Sequence, residues 1–255
     1  MLLSNATVVT CDEPNEVLND HSIYIVDGVI LDICPDAEAS KKYPSEQKYN
    51  CDGKLVLPGA ICAHTHFYGA FSRGMAIPGE APENFQQILQ KLWWPLDQSL
   101  TLEDVEYSSL LCEVDAIRHG TTTLFDHHAS PSAIDGSLDV IASTIDRSGI
   151  RAALCYEVTD RGGKAERDAG IRENIRFIKK SNGKNSGNLV GFFGLHAPLT
   201  LSTETLEKCA EVNSNDFGFH THLSESKDDQ AYTQVTFGKD PIPLLDSFGM
   251  LNDRS

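Results

Sequence analysis

LVLPGAICAHTH, residues 55–66, decides how this chain is read. An apolar run closes on a Pro-Gly turn, a second short strand follows, and two histidines stand at i and i+2. Side chains alternate across an extended strand, so His64 and His66 project from one face and can grip a single ion. Cys62 and Tyr68 fall on the same face. Cys62 is a conceivable ligand there, and more simply a small strand-packing residue. An isolated His-x-His pair is common, so the rest of the chain has to support a metal site.

Upstream, residues 1–56 hold short β-type runs, ATVVT, SIYIVDGVI and KLVL, separated by turn-forming pairs, with no helical period. The Asp27-Gly28 pair between IYIV and VILDI predicts a two-residue hairpin turn. This is a small β-sandwich element. Downstream the pattern changes. Apolar strands alternate with amphipathic stretches: GAICAH, TLEDVEYSSLLCEVDAIRHG, TTTLFDHH, SLDVIASTIDRSG, IRAALCYEV, the helix near DAGIRENIRFIKKS, NLVGFFGLHA, STETLEKCAEV and FGFHTHLSE. Strand and helix in strict alternation predict parallel βα units. Residues 57–255 thus read as an α/β domain of the (β/α)8 TIM-barrel type with about five units present. Their strands end near His66, Asp126, Tyr156, His196 and His222, and in such barrels the C-terminal strand ends form the active-site face. His21 and His119 sit off those ends and read as ordinary surface histidines.

Composition narrows the function classes. With 37 acidic against 21 basic residues the formal charge is −16, which opposes nucleic acid phosphates and anionic membranes as partners. The N-terminus lacks a basic leader, and no run approaches the ~18 apolar residues of a membrane span. Seven scattered cysteines without a C-x-x-C pair read as reduced thiols, so a cytoplasmic protein is expected.

The second decisive stretch is FGFHTHLSES, where an apolar strand ends at His222 and Glu225 follows three residues later. A bound metal draws the pKa of water toward about 7, and a carboxylate beside it can carry the released proton to a leaving group. Glu225 has that position. His220 shares the face of His222 one layer deeper and is expected to support rather than ligate. His196, in GLHAPLTLS, is placed to orient substrate. Asp126, His127 and His128 are consecutive and cannot all face inward, so one or two should line the pocket.

Together LPGAICAHTH, HGTTTLFDHH, GLHAPLTLS and FHTHLSE resemble the amidohydrolase superfamily, in its branch of aminohydrolases acting on purines, pterins and triazines; DHHASP and CYEVTDRGG are most like the SsnA-type members. The resemblance implies that His64, His66 and His222 hold one divalent ion, zinc or iron, and that Glu225 shuttles protons. It implies substrate contacts from His196, and makes Arg73, in FSRGM, and Arg161, in TDRGG, candidates for an anionic or carbonyl group, with His127 and His128 near them. The implied reaction is hydrolytic deamination of an amino-substituted nitrogen heterocycle, a small-molecule substrate, by a homodimer. The resemblance also implies a sixth-strand histidine, an eighth-strand aspartate, and C-terminal strands that complete the small β element. The text ends instead at LLDSFGMLNDRS, and Asp240, Asp246 and Asp253 follow no apolar strand. A fragment of a longer protein is therefore expected, and a non-catalytic metal-binding or interaction module stands as the rival reading. A binuclear cyclic amidase of the hydantoinase kind needs a carboxylated lysine at the fourth strand end. His196 stands there, and Lys179, Lys180 and Lys184 belong to a helix and its exit.

Overall fold

A computed structural model of the chain describes residues 1–182, 187–213 and 217–255. They divide into two compact units, Met1–Gly59 and Ala60–Ser255.

The first unit is one five-stranded sheet. β1 (Leu2–Val9) pairs antiparallel with β2 (Val17–Val26), and β2 with β3 (Val29–Pro35). β4 (Lys48–Asn50) and β5 (Leu55–Val56) lie parallel to β1 on its other side. Alternation explains the core, because Leu2, Ala6 and Val8 are buried on β1 while their neighbours are not. The β2–β3 turn is Asp27-Gly28 with φ of 50° and 78°, the doubly left-handed turn that matches strand twist. A helix that the sequence pattern did not predict, α1 (Asp36–Lys42), follows β3. It buries only Ala39, and a helix of 7 residues with one buried position writes no period into the sequence. Tyr43, at its C-cap, stacks on Tyr24 with ring centroids 3.9 Å apart.

The second unit carries β6 (Ala60–Thr65), β7 (Thr121–His128), β8 (Arg151–Tyr156) and β9 (Leu189–Gly191), all parallel and adjacent in chain order. β10 (Phe193–Leu195) pairs parallel with β11 (Phe219–Thr221). NLVGFFGLHA, read as one strand, is thus two short ones. At the break the Phe192 N–H still reaches Leu154 O at 3.0 Å, and Phe193 N–H turns to Gly218 O.

Helices fill the crossovers. After β6 come a 3-10 turn (Phe67–Ser72), α2 (Phe85–Ile88), a π-helical turn (Leu89–Trp93), α3 (Trp94–Ser99) and α4 (Leu102–Arg118). α5 (Ser137–Ser148), α6 (Lys164–Ser181) and α7 (Thr203–Asn213) follow β7, β8 and β10, and α8 (Lys227–Phe237) and α9 (Pro241–Ser247) follow β11. α4 starts at a reciprocal cap: Thr101 Oγ1 accepts from Asp104 N, and Asp104 Oδ2 accepts from Thr101 N at 2.8 Å. Leu138, Ile141 and Ile145, at i, i+3 and i+7 of α5, are fully buried in one core with Leu124, Leu154 and Phe177. A second core gathers Ile178, Phe193, Leu195, Leu206 and Phe219. This is the strand-helix order of a (β/α) barrel, with every strand pointing its C-terminal end the same way. No helix among the described residues is long and apolar enough to cross a membrane.

Candidate active site

The C-terminal ends of β6, β7, β8, β10 and β11 bring five histidines and two glutamates together. His66 Nδ1 lies 2.6 Å from the His127 carbonyl, and His222 Nδ1 lies 2.9 Å from the His196 carbonyl. A carbonyl only accepts, so each ring carries its proton on Nδ1 and leaves Nε2 bare. Those two bare nitrogens face each other at 3.1 Å. His64 Nδ1 sits 2.8 Å from His220 Nε2; with the shared proton on Nδ1, its Nε2 is bare as well. His64, His66, His127 and His222 each offer a ring nitrogen within 4.8 Å of the others. His127 is fully buried, and neither of its nitrogens has a hydrogen-bond partner among the described residues.

Protons do not relieve this crowding. Burial, then His222 and His64, push His66 down to about 3. Burial likewise lowers His222, and burial and His222 lower His64, with Glu225 pulling the other way. His127 and His196 are held well below the ordinary range by burial and then by His222. The cluster is neutral, with lone pairs converging at a spacing that two nitrogen bonds of about 2.0–2.1 Å to one ion span. The donor set therefore fits a borderline divalent cation such as zinc.

Beside the cluster lies a cavity of about 220 Å³. Its polar lining is His64, His66, His196, His222, Asp97, Glu157 and Glu225, and Tyr68, Phe85, Trp93 and Trp94 wall it. Glu225 sits on the turn after β11, where Ser224 has φ of 57° and the Glu225 N–H donates to Asp229 Oδ2 at 2.8 Å. Burial and then Asp229 raise the Glu225 carboxyl, against His64. Glu157, one residue past β8, is pushed up to about 8 by burial, although Arg161 pulls it down.

Of the residues singled out from sequence, His64, His66, His222, Glu225 and His196 meet around this cavity, and His127 packs against its imidazoles. The others do not reach it. His128 turns away to Ser130 Oγ at 2.9 Å, beside Tyr68 and Tyr156. Arg73 is exposed, 3.8 Å from Asp115. Arg161 lies behind the wall, ion-paired to Asp97 and over the Trp94 ring, with its Nε and Nη1 unpartnered. Burial raises Asp97 to about 6 despite that guanidinium. His220 touches His64, the supporting contact expected of it. Cys62 reaches only the His64 carbonyl and packs against the core.

Glu157 and Asp97 were missed in the sequence. Glu157 had a signal, an acid directly after the apolar run AALCY at a barrel strand end. Asp97 sits in a short helix and had none. Lys180 is engaged with Asp139 at 2.9 Å, and Lys184 lies outside the described residues. Asp240 caps α9 and accepts from Gln234 at 2.7 Å, away from the cavity. A larger hollow of about 1080 Å³ is lined by none of the candidate site residues.

Comparison with known proteins follows the same lines. The chain is 32% identical over 247 residues to a 5-methylthioadenosine/S-adenosylhomocysteine deaminase of Bacillus cereus (strain G9842), matching 96% of this chain and 55% of the relative. It thus spans about half the length of the curated relatives it matches. Among solved structures, a zinc-bound adenosine deaminase from Xanthomonas campestris superposes with a TM-score of 0.79 at 24% identity, over 99% of this chain and 56% of the other. A guanine deaminase from C. acetobutylicum superposes with 0.83 at 16% identity, over 99% and 60%. These likenesses establish the fold as that of the barrel deaminases. The model of the amidohydrolase family matches residues 55–254, from the strand before the His-x-His pair to the last turn, and the chain belongs to that family.

Proposed function

We propose that this site serves metal-dependent hydrolysis of a C–N bond outside peptides, deaminating an amino-substituted nitrogen heterocycle. The observation that carries the proposal is the 3.1 Å approach of two bare imidazole nitrogens, His66 Nε2 and His222 Nε2, with their protons tied to carbonyls. His64, His66 and His222 hold the ion, zinc before iron, as the nitrogen set and the zinc of a structural neighbour suggest. When bound it supplies a Lewis acid and lowers the pKa of water. Glu225 would move a proton between water in the site and the ring nitrogen or the departing amine, a role suited to a carboxyl raised above its ordinary range. His196 orients the ring. Asp97 is a polar wall group held in place by Arg161.

The names of the relatives, deaminases of adenosine-type and guanine substrates, agree with this reaction class. Seven unpaired thiols agree with a cytoplasmic setting. A second reading, a metal-binding module that docks on another chain, is favoured by one observation. Among the described residues β11 pairs with no strand but β10, and on its other side the Phe219 N–H reaches only the Ser255 hydroxyl, at 3.2 Å.

The deciding experiment is ammonia release by the zinc-loaded chain from guanine, adenosine and melamine, with metal content measured alongside. Release that Glu225→Gln abolishes while zinc stays bound supports the enzyme. Zinc bound stoichiometrically with no release from any of the three supports the module.

A further inference from the structure

We infer that Glu157, acting with His196, is a specificity-determining residue that commits the cavity to a ring edge bearing N–H donors. The inference deepens the proposed deaminase reading, and it names the class of heterocycle.

Glu157 is fixed at its backbone, where its N–H donates to His128 O at 2.7 Å. Its side chain is 3% exposed and lines the cavity, yet its carboxyl makes no hydrogen bond to any described residue. His196 Nε2 at 3.7 Å and His127 Nδ1 at 3.9 Å are both beyond hydrogen-bond reach. His196 is in the same condition. Its Nδ1 lies 2.6 Å from Thr200 Oγ1, whose hydroxyl donates to Ala197 O, so Nδ1 carries the proton and Nε2 a lone pair. Neither acceptor is sealed in protein; both open onto the cavity, and two of them on one wall suit the same kind of partner. Whether or not Glu157 carries a proton, at least one of its oxygens remains an acceptor.

The rest of the lining points the same way. Three carboxyl residues, Asp97, Glu157 and Glu225, face the cavity, and among the described residues no lysine or arginine does. Such a wall offers acceptor oxygens to the hydrogens of amino groups and ring N–H groups, and no cationic side chain to pair with a phosphate or carboxylate substituent. The aromatic walls select a flat ring. The class that satisfies all of this is a cyclic guanidine or amidine, with a ring N–H beside an exocyclic amine.

The chain's two tryptophans, Trp93 and Trp94, both line the cavity, so quenching of their fluorescence reads occupancy without turnover. The probes are guanine and 1-methylguanine, which differs by loss of the ring N–H, titrated into the zinc-loaded full chain. The expected result is at least about tenfold tighter binding of guanine, a preference reduced in Glu157→Gln, which keeps one acceptor oxygen, and lost in Glu157→Leu. Circular dichroism checks that both variants fold, and the Gln variant, which is nearly isosteric, carries the test alone where the Leu variant does not. Equal binding of the two purines, no quenching by either, or a preference that survives unchanged in Glu157→Gln overturns the inference. Ammonia release separates this result from the catalytic reading. Preference without release ends the deaminase and leaves Glu157 as a recognition group, whereas release without preference does the reverse.

Discussion

Asn174 on α6 pairs with Tyr156 on β8 as a neighbouring strand would: its Oδ1 accepts the Tyr156 N–H at 2.8 Å, and its Nδ2 donates to the Tyr156 carbonyl at 2.8 Å. The same Nδ2 lies 3.3 Å from Gly194 O. Glu157 is the next residue, so a helix side chain sets the height at which that acid enters the cavity.

Asn174→Leu should therefore cost about 2–4 kcal/mol, since it leaves the buried Tyr156 amide groups without partners. Gly194→Ala should be at least as harmful, because a Cβ there collides with the Tyr156 carbonyl oxygen and comes within 3.0 Å of Cys155 Sγ. Urea titrations of both variants measure this. A loss below about 0.5 kcal/mol in either would mean that this strand contact is looser than described.

The buried Arg161–Asp97 pair makes an asymmetric prediction. Arg161→Ala strands a carboxylate that is 1% exposed, and about 3–5 kcal/mol should be lost. The double replacement Asp97→Leu with Arg161→Met removes both charges, and should recover most of that loss in the same titration. Similar losses in the single and double variants would show that the pairing does not matter.

Metal content tests the imidazole cluster directly. The parent chain should retain about one equivalent of zinc after gel filtration, and His66→Ala and His222→Ala should each retain almost none. His128→Ala should keep its zinc, because that ring is turned toward Ser130. With free zinc at about 100 times Kd, stability should rise by about 2.7 kcal/mol over the chelated form.

Asp126 gives the metal-free chain a pH dependence. It is 1% exposed, its one hydrogen bond is from the Phe67 N–H at 2.7 Å, and burial pushes it up to about 8 from 3.8. The folded chain thus keeps a proton that the unfolded chain releases above pH ~4. The stabilisation is complete below that point and is lost as pH rises through about 8. Between pH 5 and 7 the parent's unfolding free energy should change more negatively with pH than that of Asp126→Asn, by about 1.4 kcal/mol per unit. Parallel slopes in the presence of a chelator would refute the assignment.

Much of this was legible where local chemistry and tertiary demand agree. The Asp27-Gly28 turn needs left-handed backbone at both positions, and the pair supplies it at low cost. His64, His66, His196, His222 and Glu225 stood at apolar strand ends, where alternation and barrel polarity make position informative. DHH was ambiguous because three adjacent polar residues had three destinations. Asp126 holds a backbone amide, His127 joins the imidazoles, and His128 turns to Ser130. Arg73 and Arg161 had no strand context. A charge on a loop carries no directional signal, and one went to solvent while the other went behind the aromatic wall. Asp97 was illegible for the converse reason, since its burial depends on Arg161, 64 positions away in the chain, meeting it and Trp94.

His66 and His222 stand 156 positions apart, each one residue past the end of its strand, β6 and β11. Each βα unit between them can form from neighbours close in the chain, whereas the meeting of these two rings requires every intervening crossover to be in place. It is thus among the latest contacts to form, and its chain-closure entropy is paid only then. An ion caught there clasps β6 to β11 and slows reopening far more than it speeds folding.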